Sequence, residues 1–93
     1  MDEEKAKKEA ILTIDHDGEL NHYIMENGKV YCWGCVGEYE FDGGLEAEMK
    51  AIKNTLEVYI EDDKRVQEIL EDIKERIKAG ERTISLLDYL DIY

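Results

Sequence analysis

Residues 29–44, KVYCWGCVGEYEFDGG, contain the only Trp, the only Phe and both Cys residues of the chain. The odd positions of this stretch are mostly aromatic, and its even positions become acidic. The odd positions are Tyr31, Trp33, Cys35, Gly37, Tyr39 and Phe41, and the even positions are Val30, Cys32, Gly34, Val36, Glu38, Glu40 and Asp42. Alternation with period two is typical of a β-strand with one buried and one solvated face. We therefore predict one long strand with an aromatic inner face and an acidic outer face.

Two further strands are predicted before this stretch, at residues 10–15 and 20–26, and together the three form an antiparallel meander. The Asn-Gly pair at positions 27–28 is typical of a two-residue type I′ turn. Such a turn places Ile24 opposite Tyr31 and extends the aromatic face onto the second strand. The register of this hairpin is therefore predicted to bury the odd-numbered side chains of the long strand.

The first turn, DHDG at residues 15–18, allows two registers. A two-residue loop would place Asp15 on the core face. A three-residue loop with Gly18 in a left-handed bulge instead places Ala10, Leu12 and Ile14 there and leaves Asp15 outside. We favour the three-residue loop, because it buries apolar groups.

After the Gly pair at 43–44, apolar residues recur at helical spacing between residues 45 and 77, and Gly80 is a suitable stop. The acidic residues 61–63 either form a turn with an Asp N-cap or lie inside a continuous helix. One long helix and a helical hairpin therefore both stay open. A long helix would overhang the sheet and expose an apolar stripe, so a homodimer through residues 45–79 is one expectation.

The C-terminal segment is expected to form a short helix capped by Ser85. Its apolar residues either return to the core or bind a partner, and Leu87, Tyr89 and Leu90 are the candidates for partner contact. The sequence GERTISLLDYL at residues 80–90 resembles the C-terminal toxin-wrapping segments of some bacterial antitoxins. That resemblance implies an antitoxin-like or regulatory subunit as an alternative function.

The composition predicts one globular domain over residues 1–93, in which residues 1–9 are a polar tail or a helical turn. The formal net charge is −12, and residues 15–44 carry seven acidic side chains and one lysine. This charge argues against direct binding to nucleic acid or to anionic membranes, and it favours a basic protein partner. Acidic residues follow Met1, which is atypical of a secretory signal, so a cytoplasmic location is expected.

Two groups of carboxylates are the predicted partner-binding residues: Asp15, Asp17 and Glu19 around the first turn, and Glu38, Glu40 and Asp42 on one strand face. Alternate residues on a strand lie about 6.6–7 Å apart, which is close to the spacing of phosphates along one DNA strand. Carboxylates at this spacing can occupy a groove of Arg and Lys side chains that normally binds nucleic acid. The same charges also serve solubility as an ordinary solvated face.

The pattern His-x5-His-x9-Cys-x2-Cys, formed by His16, His22, Cys32 and Cys35, is a conceivable set of four zinc ligands. In a regular strand Cys32 and Cys35 point to opposite faces about 10 Å apart, so two half-buried thiols are favoured over a metal site or a disulfide. A redox pair is not expected either, because no helix begins at these cysteines. We expect no catalytic residues, no metal and no cofactor.

The sequence thus predicts an α+β fold, in which a three-stranded antiparallel meander precedes one long helix or a helical hairpin and a short C-terminal helix. The favoured function is a non-enzymatic inhibitor that blocks the nucleic-acid-binding surface of a basic partner. Phage anti-defence proteins, including anti-CRISPRs, are similar in size, acidity and lack of catalytic groups, and that similarity implies action in the host cytoplasm. A small zinc-binding module is a further alternative.

Overall fold

A five-stranded sheet with helices on both faces makes up the computed structural model, which describes residues 2–35 and 37–90. The elements are α1 (Glu3–Glu9), β1 (Leu12–Asp15), β2 (Asn21–Ile24), β3 (Val30–Gly34), β4 (Gly37–Phe41), α2 (Gly44–Tyr59), α3 (Asp63–Lys78), β5 (Thr83–Ser85) and a 3₁₀ helix (Leu86–Asp88). The strand order is β4-β3-β2-β1-β5, antiparallel except that β5 is parallel to β1. The α+β class is confirmed, but the meander has four strands instead of three. Within the described residues, no helix combines the length and apolar character needed to cross a membrane.

The predicted single strand over residues 29–44 is wrong, because the chain reverses between Gly34 and Gly37. These two glycines are Cα partners across the β3–β4 hairpin, and Gly37 has a φ of +124°, which a residue with a side chain rarely adopts. The reversal divides the aromatic residues between the two faces of the sheet. Tyr39 lies opposite Cys32 on the inner face, whereas Tyr31 and Trp33 lie on the outer face. The outer-face partners of these two aromatic residues are Glu40 and Glu38. Val36, which the alternation assigned to the acidic face, lies outside the described residues.

The predicted type I′ turn at residues 27–28 is also wrong. The loop spans residues 26–28, since the Met25 amide donates to the Lys29 carbonyl at 2.8 Å. Gly28 adopts a φ of +91°, and the Asn27 side chain accepts from the Lys29 amide at 2.9 Å. The extra loop residue shifts the register, so that Ile24 faces Val30 instead of Tyr31. A shift of one residue exchanges the faces of a strand, which is why the buried residues of β3 are Val30 and Cys32.

The favoured register of the first hairpin is confirmed. The His16 amide donates to the Leu20 carbonyl at 2.8 Å, which leaves a three-residue loop. Leu12 and Ile14 are buried on the inner face, and Asp15 lies on the outer face. The turn therefore buries apolar side chains and keeps a carboxylate out of the core. The predicted inner position of Ala10 is wrong, because Ala10 ends α1 and packs with Ala6 in the outer-face cluster.

Of the two helical alternatives, the structure has the hairpin. The Asp62 side chain accepts from the Lys64 amide at 3.0 Å and caps α3, so α2 ends at Tyr59 and a new helix begins at Asp63. The apolar stripes of both helices pack on the inner face of the sheet; their buried residues are Ile52, Leu56, Val66, Ile69, Leu70 and Ile73. The overhanging helix on which the homodimer through residues 45–79 depended is therefore not formed.

The C-terminal segment and α1 cover opposite faces of the sheet. Ile84, Leu86 and Leu90 join the inner core, and Ser85 caps the 3₁₀ helix by accepting from the Leu87 amide at 3.2 Å. On the outer face, Ala6 of α1 packs with Tyr23 and Met25 in a smaller cluster. The short C-terminal helix is thus present as a single 3₁₀ turn, and the N-terminal residues form a packed helix.

The packing of α2 gives a prediction on stability. Leu56 is fully buried, whereas Val58 on the same helix is 76 % exposed. We expect Leu56→Ala to lower the free energy of unfolding by about 2–5 kcal/mol and Val58→Ala to change it by less than about 0.5 kcal/mol. Urea denaturation of the two variants measures both values. Equal effects would contradict the described orientation of α2.

Candidate functional site

The carboxylates of β4 lie on the outer face beside aromatic rings. Cross-strand pairing places Glu38 next to Trp33 and Glu40 next to Tyr31. Together these four residues form what we call the edge groove, a depression of about 260 Å³ that Tyr39 also lines. The two rings are half-buried, with centroids 6.2 Å apart, and the two carboxylates are exposed. Aromatic faces next to carboxylates favour a cationic ligand.

The backbone of β4 is also available for pairing, because β4 is an edge strand. The hydrogen bond from Met25 to Lys29 directs the backbone groups of the odd-numbered β3 residues toward β2. The even-numbered β3 residues therefore bond to Gly37, Tyr39 and Phe41 of β4. The N–H and C=O groups of Glu38 and Glu40 consequently point away from the sheet, at the same residues whose carboxylates line the edge groove.

Charge compensation in this region is incomplete. Lys29 lies 3.4 Å from a carboxylate oxygen of Glu40 and 3.8 Å from one of Asp42, and Asp42 and Glu40 raise the pKa of Lys29. Glu38 has no ion-pair partner within residues 2–35 and 37–90. Asp42 lies beyond the end of β4 and is outside the edge groove. The predicted row of three carboxylates is thus a pair in the groove, Glu38 and Glu40, and Asp42 outside it, and Lys29 lies between Glu40 and Asp42.

The acidic residues of the first turn serve mainly the turn itself. Asp15 accepts from the Gly18 amide at 2.8 Å and from the Ser85 hydroxyl at 3.1 Å. Asp17 accepts from two backbone amides at 3.0 Å. Glu19 accepts from the exposed Cys35 thiol at 3.5 Å, and that hydrogen bond raises the pKa of Cys35. Asp15 does face the same side of the sheet as the edge groove, three strands from Glu38, which corresponds to about 14 Å.

The three C-terminal candidates are in different environments. Leu90 is buried in the core, Leu87 is exposed, and Tyr89 is half-buried. The Tyr89 hydroxyl accepts from Arg76 at 3.0 Å and donates to Asp72. Arg76 also forms ion pairs with Glu81 at 2.9 Å and Asp88 at 3.2 Å. These contacts fasten the segment to α3 of its own chain, so of the three candidates Leu87 alone exposes an apolar side chain to a partner.

A buried cluster joins the two histidines to a residue that the sequence analysis missed, Glu48 of α2. One carboxylate oxygen of Glu48 lies 2.7 Å from His16 Nε2, and the other lies 2.7 Å from His22 Nδ1. The three residues are 0–2 % exposed, and we call them the His-Glu-His triad. The signal for Glu48 was its spacing, because it stands four and eight residues before the buried Ile52 and Leu56.

The outer nitrogens of both imidazoles meet hydroxyl groups. His16 Nδ1 lies 2.7 Å from Thr55 Oγ1, and His22 Nε2 lies 3.3 Å from the Tyr39 hydroxyl. Burial alone would raise the pKa of Glu48, but the hydrogen bonds from His16 and His22 outweigh burial, and the pKa falls below its ordinary value. The Glu48 carboxylate is therefore ionised in the core and accepts a hydrogen bond from the N–H of each facing nitrogen.

The two cysteines do not join this cluster as the predicted zinc pattern requires. Cys32 is buried on the inner face of β3, where burial raises its pKa to about 12, and Cys35 is exposed in the β3–β4 turn. The chain reversal after Gly34 separates the environments of the two thiols. The predicted four-residue set is corrected to its two histidines, which Glu48 joins instead of the thiols.

A comparison of the chain with protein-family models, with curated proteins and with solved structures found no match.

The triad predicts how stability depends on pH. Since the native pKa of Glu48 lies below the ordinary carboxyl value of about 4.3, its contribution is present above that pH and is lost as the pH falls through the native pKa. Glu48→Gln should lower the free energy of unfolding near pH 7 by about 2–5 kcal/mol. It should also reduce the steepness of acid unfolding below about pH 4.

The matched control is Glu57→Gln, which removes an exposed carboxylate from the same helix. Denaturant unfolding monitored by circular dichroism between pH 7 and pH 2 measures both effects. An acid-unfolding slope in Glu48→Gln equal to that of the unmodified protein would contradict the described role of the triad.

Proposed function

We propose that this protein is a small, acidic, non-enzymatic inhibitor that occupies the nucleic-acid-binding surface of a basic partner, as phage anti-defence proteins do. The observation that carries the proposal is the edge groove, where two carboxylates and unpaired backbone groups of the edge strand β4 lie beside two aromatic rings of β3. Each of these features favours a basic segment, and the net charge of −12 attracts such a partner at long range.

The side chains of the edge groove suit arginine. A guanidinium group can form two parallel hydrogen bonds with a carboxylate such as Glu38, and its planar face can stack on Trp33 or Tyr31. Neighbouring carboxylates on the same strand face stand about 6.6–7 Å apart, so Glu38 and Glu40 can meet two cationic groups that otherwise bind successive phosphates. The edge groove therefore supports competition with nucleic acid for the same arginines or lysines.

The edge strand gives selectivity as well as affinity. An extended segment that pairs with the outward backbone of Glu38 and Glu40 places its own alternate side chains beside the two carboxylates. A second copy of β4 would bring carboxylates against carboxylates and is disfavoured. The edge thus favours pairing with a strand that has basic residues at alternate positions, and it disfavours pairing with a second copy of β4.

The non-enzymatic part of the proposal rests on access. Among the described residues, the exposed Cys35 thiol has a pKa that its hydrogen bond to Glu19 raises, and the two histidines converge with Glu48 in the His-Glu-His triad, which is 0–2 % exposed. A substrate in solution has no contact with groups at that depth, and the exposed carboxylates of the edge groove lack a nucleophile beside them. Binding is therefore the activity that this surface supports.

Charge reversal at the edge groove tests the proposal. The double variant Glu38→Lys/Glu40→Lys should weaken binding of the basic partner about tenfold or more, about 1.4 kcal/mol, and should abolish inhibition of nucleic-acid binding. The partner is first captured from host lysate on the immobilised protein, eluted with steps of salt and identified by mass spectrometry. Its affinity for each variant and for nucleic acid is then measured by titration.

The matched control is Glu57→Lys/Glu68→Lys, which makes the same change in net charge at exposed positions of α2 and α3. This control should bind and inhibit like the unmodified protein, apart from a small loss in association rate. The proposal is wrong if both double variants bind equally, or if the captured partner binds nucleic acid at full affinity while the protein is attached.

A further inference from the structure

We propose that the His-Glu-His triad is a zinc site, in which His16 Nε2, His22 Nδ1 and the carboxylate of Glu48 bind one Zn²⁺ ion. One ligand atom from each of these residues lies within 4.8 Å of the others. The residues come from three parts of the chain: the end of β1, the middle of β2 and the second turn of α2. This convergence is independent of the edge groove and of its proposed partner.

The distances require only a small adjustment. Zinc with ligand bonds of about 2.0–2.2 Å places neighbouring ligand atoms about 3.3 Å apart in a tetrahedral site. In the hydrogen-bonded triad each histidine nitrogen lies 2.7 Å from a Glu48 oxygen. The nitrogen–oxygen pairs therefore have to separate by less than about 1 Å for an ion to replace the hydrogen-bonded protons. The most distant ligand atoms, which lie within 4.8 Å of one another, have to approach by up to about 1.5 Å.

The hydroxyl groups of Thr55 and Tyr39 can form hydrogen bonds with the imidazoles in both the metal-free and the zinc-bound triad. Without metal, the facing nitrogens carry protons for Glu48, and the hydroxyls of Thr55 and Tyr39 donate to the outer nitrogens. With metal, the proton of each ring lies on the outer nitrogen. The same hydroxyl then accepts a hydrogen bond from that N–H, since a hydroxyl can donate or accept. Metal ligation thus leaves no buried nitrogen without a partner, and it reproduces the outer hydrogen bond that metal-binding histidines usually make.

Charge and ligand chemistry favour zinc. An ionised carboxylate buried between two imidazoles is costly in a low-dielectric core, and a divalent cation compensates its charge. Two imidazole nitrogens and one carboxylate oxygen suit Zn²⁺ better than Mg²⁺ or Ca²⁺, which prefer oxygen ligands alone. A bound ion would join α2 to the sheet more firmly than the two hydrogen bonds do.

The first test uses the unmodified protein, stripped of metal with a chelator and then mixed with ZnCl₂. We expect one equivalent of zinc by calorimetry and elemental analysis, together with a higher melting temperature. X-ray absorption of the loaded protein should show nitrogen or oxygen ligands at about 2.0–2.2 Å with imidazole scattering. Absence of stoichiometric zinc, or a sulfur shell near 2.3 Å without imidazole scattering, would overturn the site.

Variants identify the ligands. Thr55→Val removes only the hydroxyl behind His16 and should weaken zinc affinity by about 10–100-fold, whereas His22→Gln should weaken it further. Cys35→Ser is the matched control, because it removes the exposed thiol and leaves the triad intact. Full affinity in His22→Gln, or loss of zinc in Cys35→Ser alone, would assign the metal elsewhere. Circular dichroism of each variant shows whether it is folded, and the absorption spectrum of the unmodified protein does not depend on any variant.

Discussion

The buried Glu48 carboxylate accepts hydrogen bonds from both His16 and His22, and these two bonds hold α2 against β1 and β2. Removing three polar side chains from water is costly, and the cost is recovered only when each polar atom has a partner. That requirement fixes the position of α2 relative to β1 and β2 more strictly than apolar contacts do. Apolar side chains alone tolerate alternative packing of a helix on a sheet.

This arrangement divides the tasks of the two sheet faces. The inner face is filled by the triad, by the apolar stripes of α2 and α3 and by the C-terminal segment. On the outer face, α1 packs on Tyr23 and Met25, and Tyr31 and Trp33 lie beside that cluster. The Glu38 and Glu40 carboxylates of the edge groove stay in solvent. A rigid inner layer holds β4 in place, so the carboxylates of Glu38 and Glu40 are presented at a fixed spacing. Such pre-organisation lowers the cost of binding a basic segment.

Much of the fold could be predicted from local signals. The first two strands and the helical stretch follow from periods of two and 3.6, and the Gly80 stop follows from its residue type. The cap at Asp62 was one of two alternatives that residues 61–63 left open. The break at Gly34 could not be predicted, because the alternation of polar and apolar residues continues through the hairpin. Because the loop at 26–28 has one residue more than predicted, every side chain of β3 lies on the face opposite to the predicted one.

The candidate site was predicted only in part, for a different physical reason. Glu38 and Glu40 were found because acidic residues on a strand are usually exposed. Their aromatic neighbours, Trp33 and Tyr31, were not predicted, because the register of the β3–β4 hairpin became known only from the structure. Glu48 was missed since a carboxylate within a helix is usually solvated. Its partners are 26 and 32 residues away in sequence, so local spacing carries no information about them.

The most direct measurement of the triad is ¹⁵N NMR of the imidazole nitrogens in metal-free protein. The account predicts a proton on Nε2 of His16 and on Nδ1 of His22, since both nitrogens face the Glu48 carboxylate. His22 is the decisive residue, because free neutral histidine prefers the proton on Nε2. Protonated facing nitrogens that couple to Glu48 would support the account. An unprotonated Nδ1 on His22 would contradict the account, because Glu48 would then lack the N–H donor on β2 that holds α2 on the sheet.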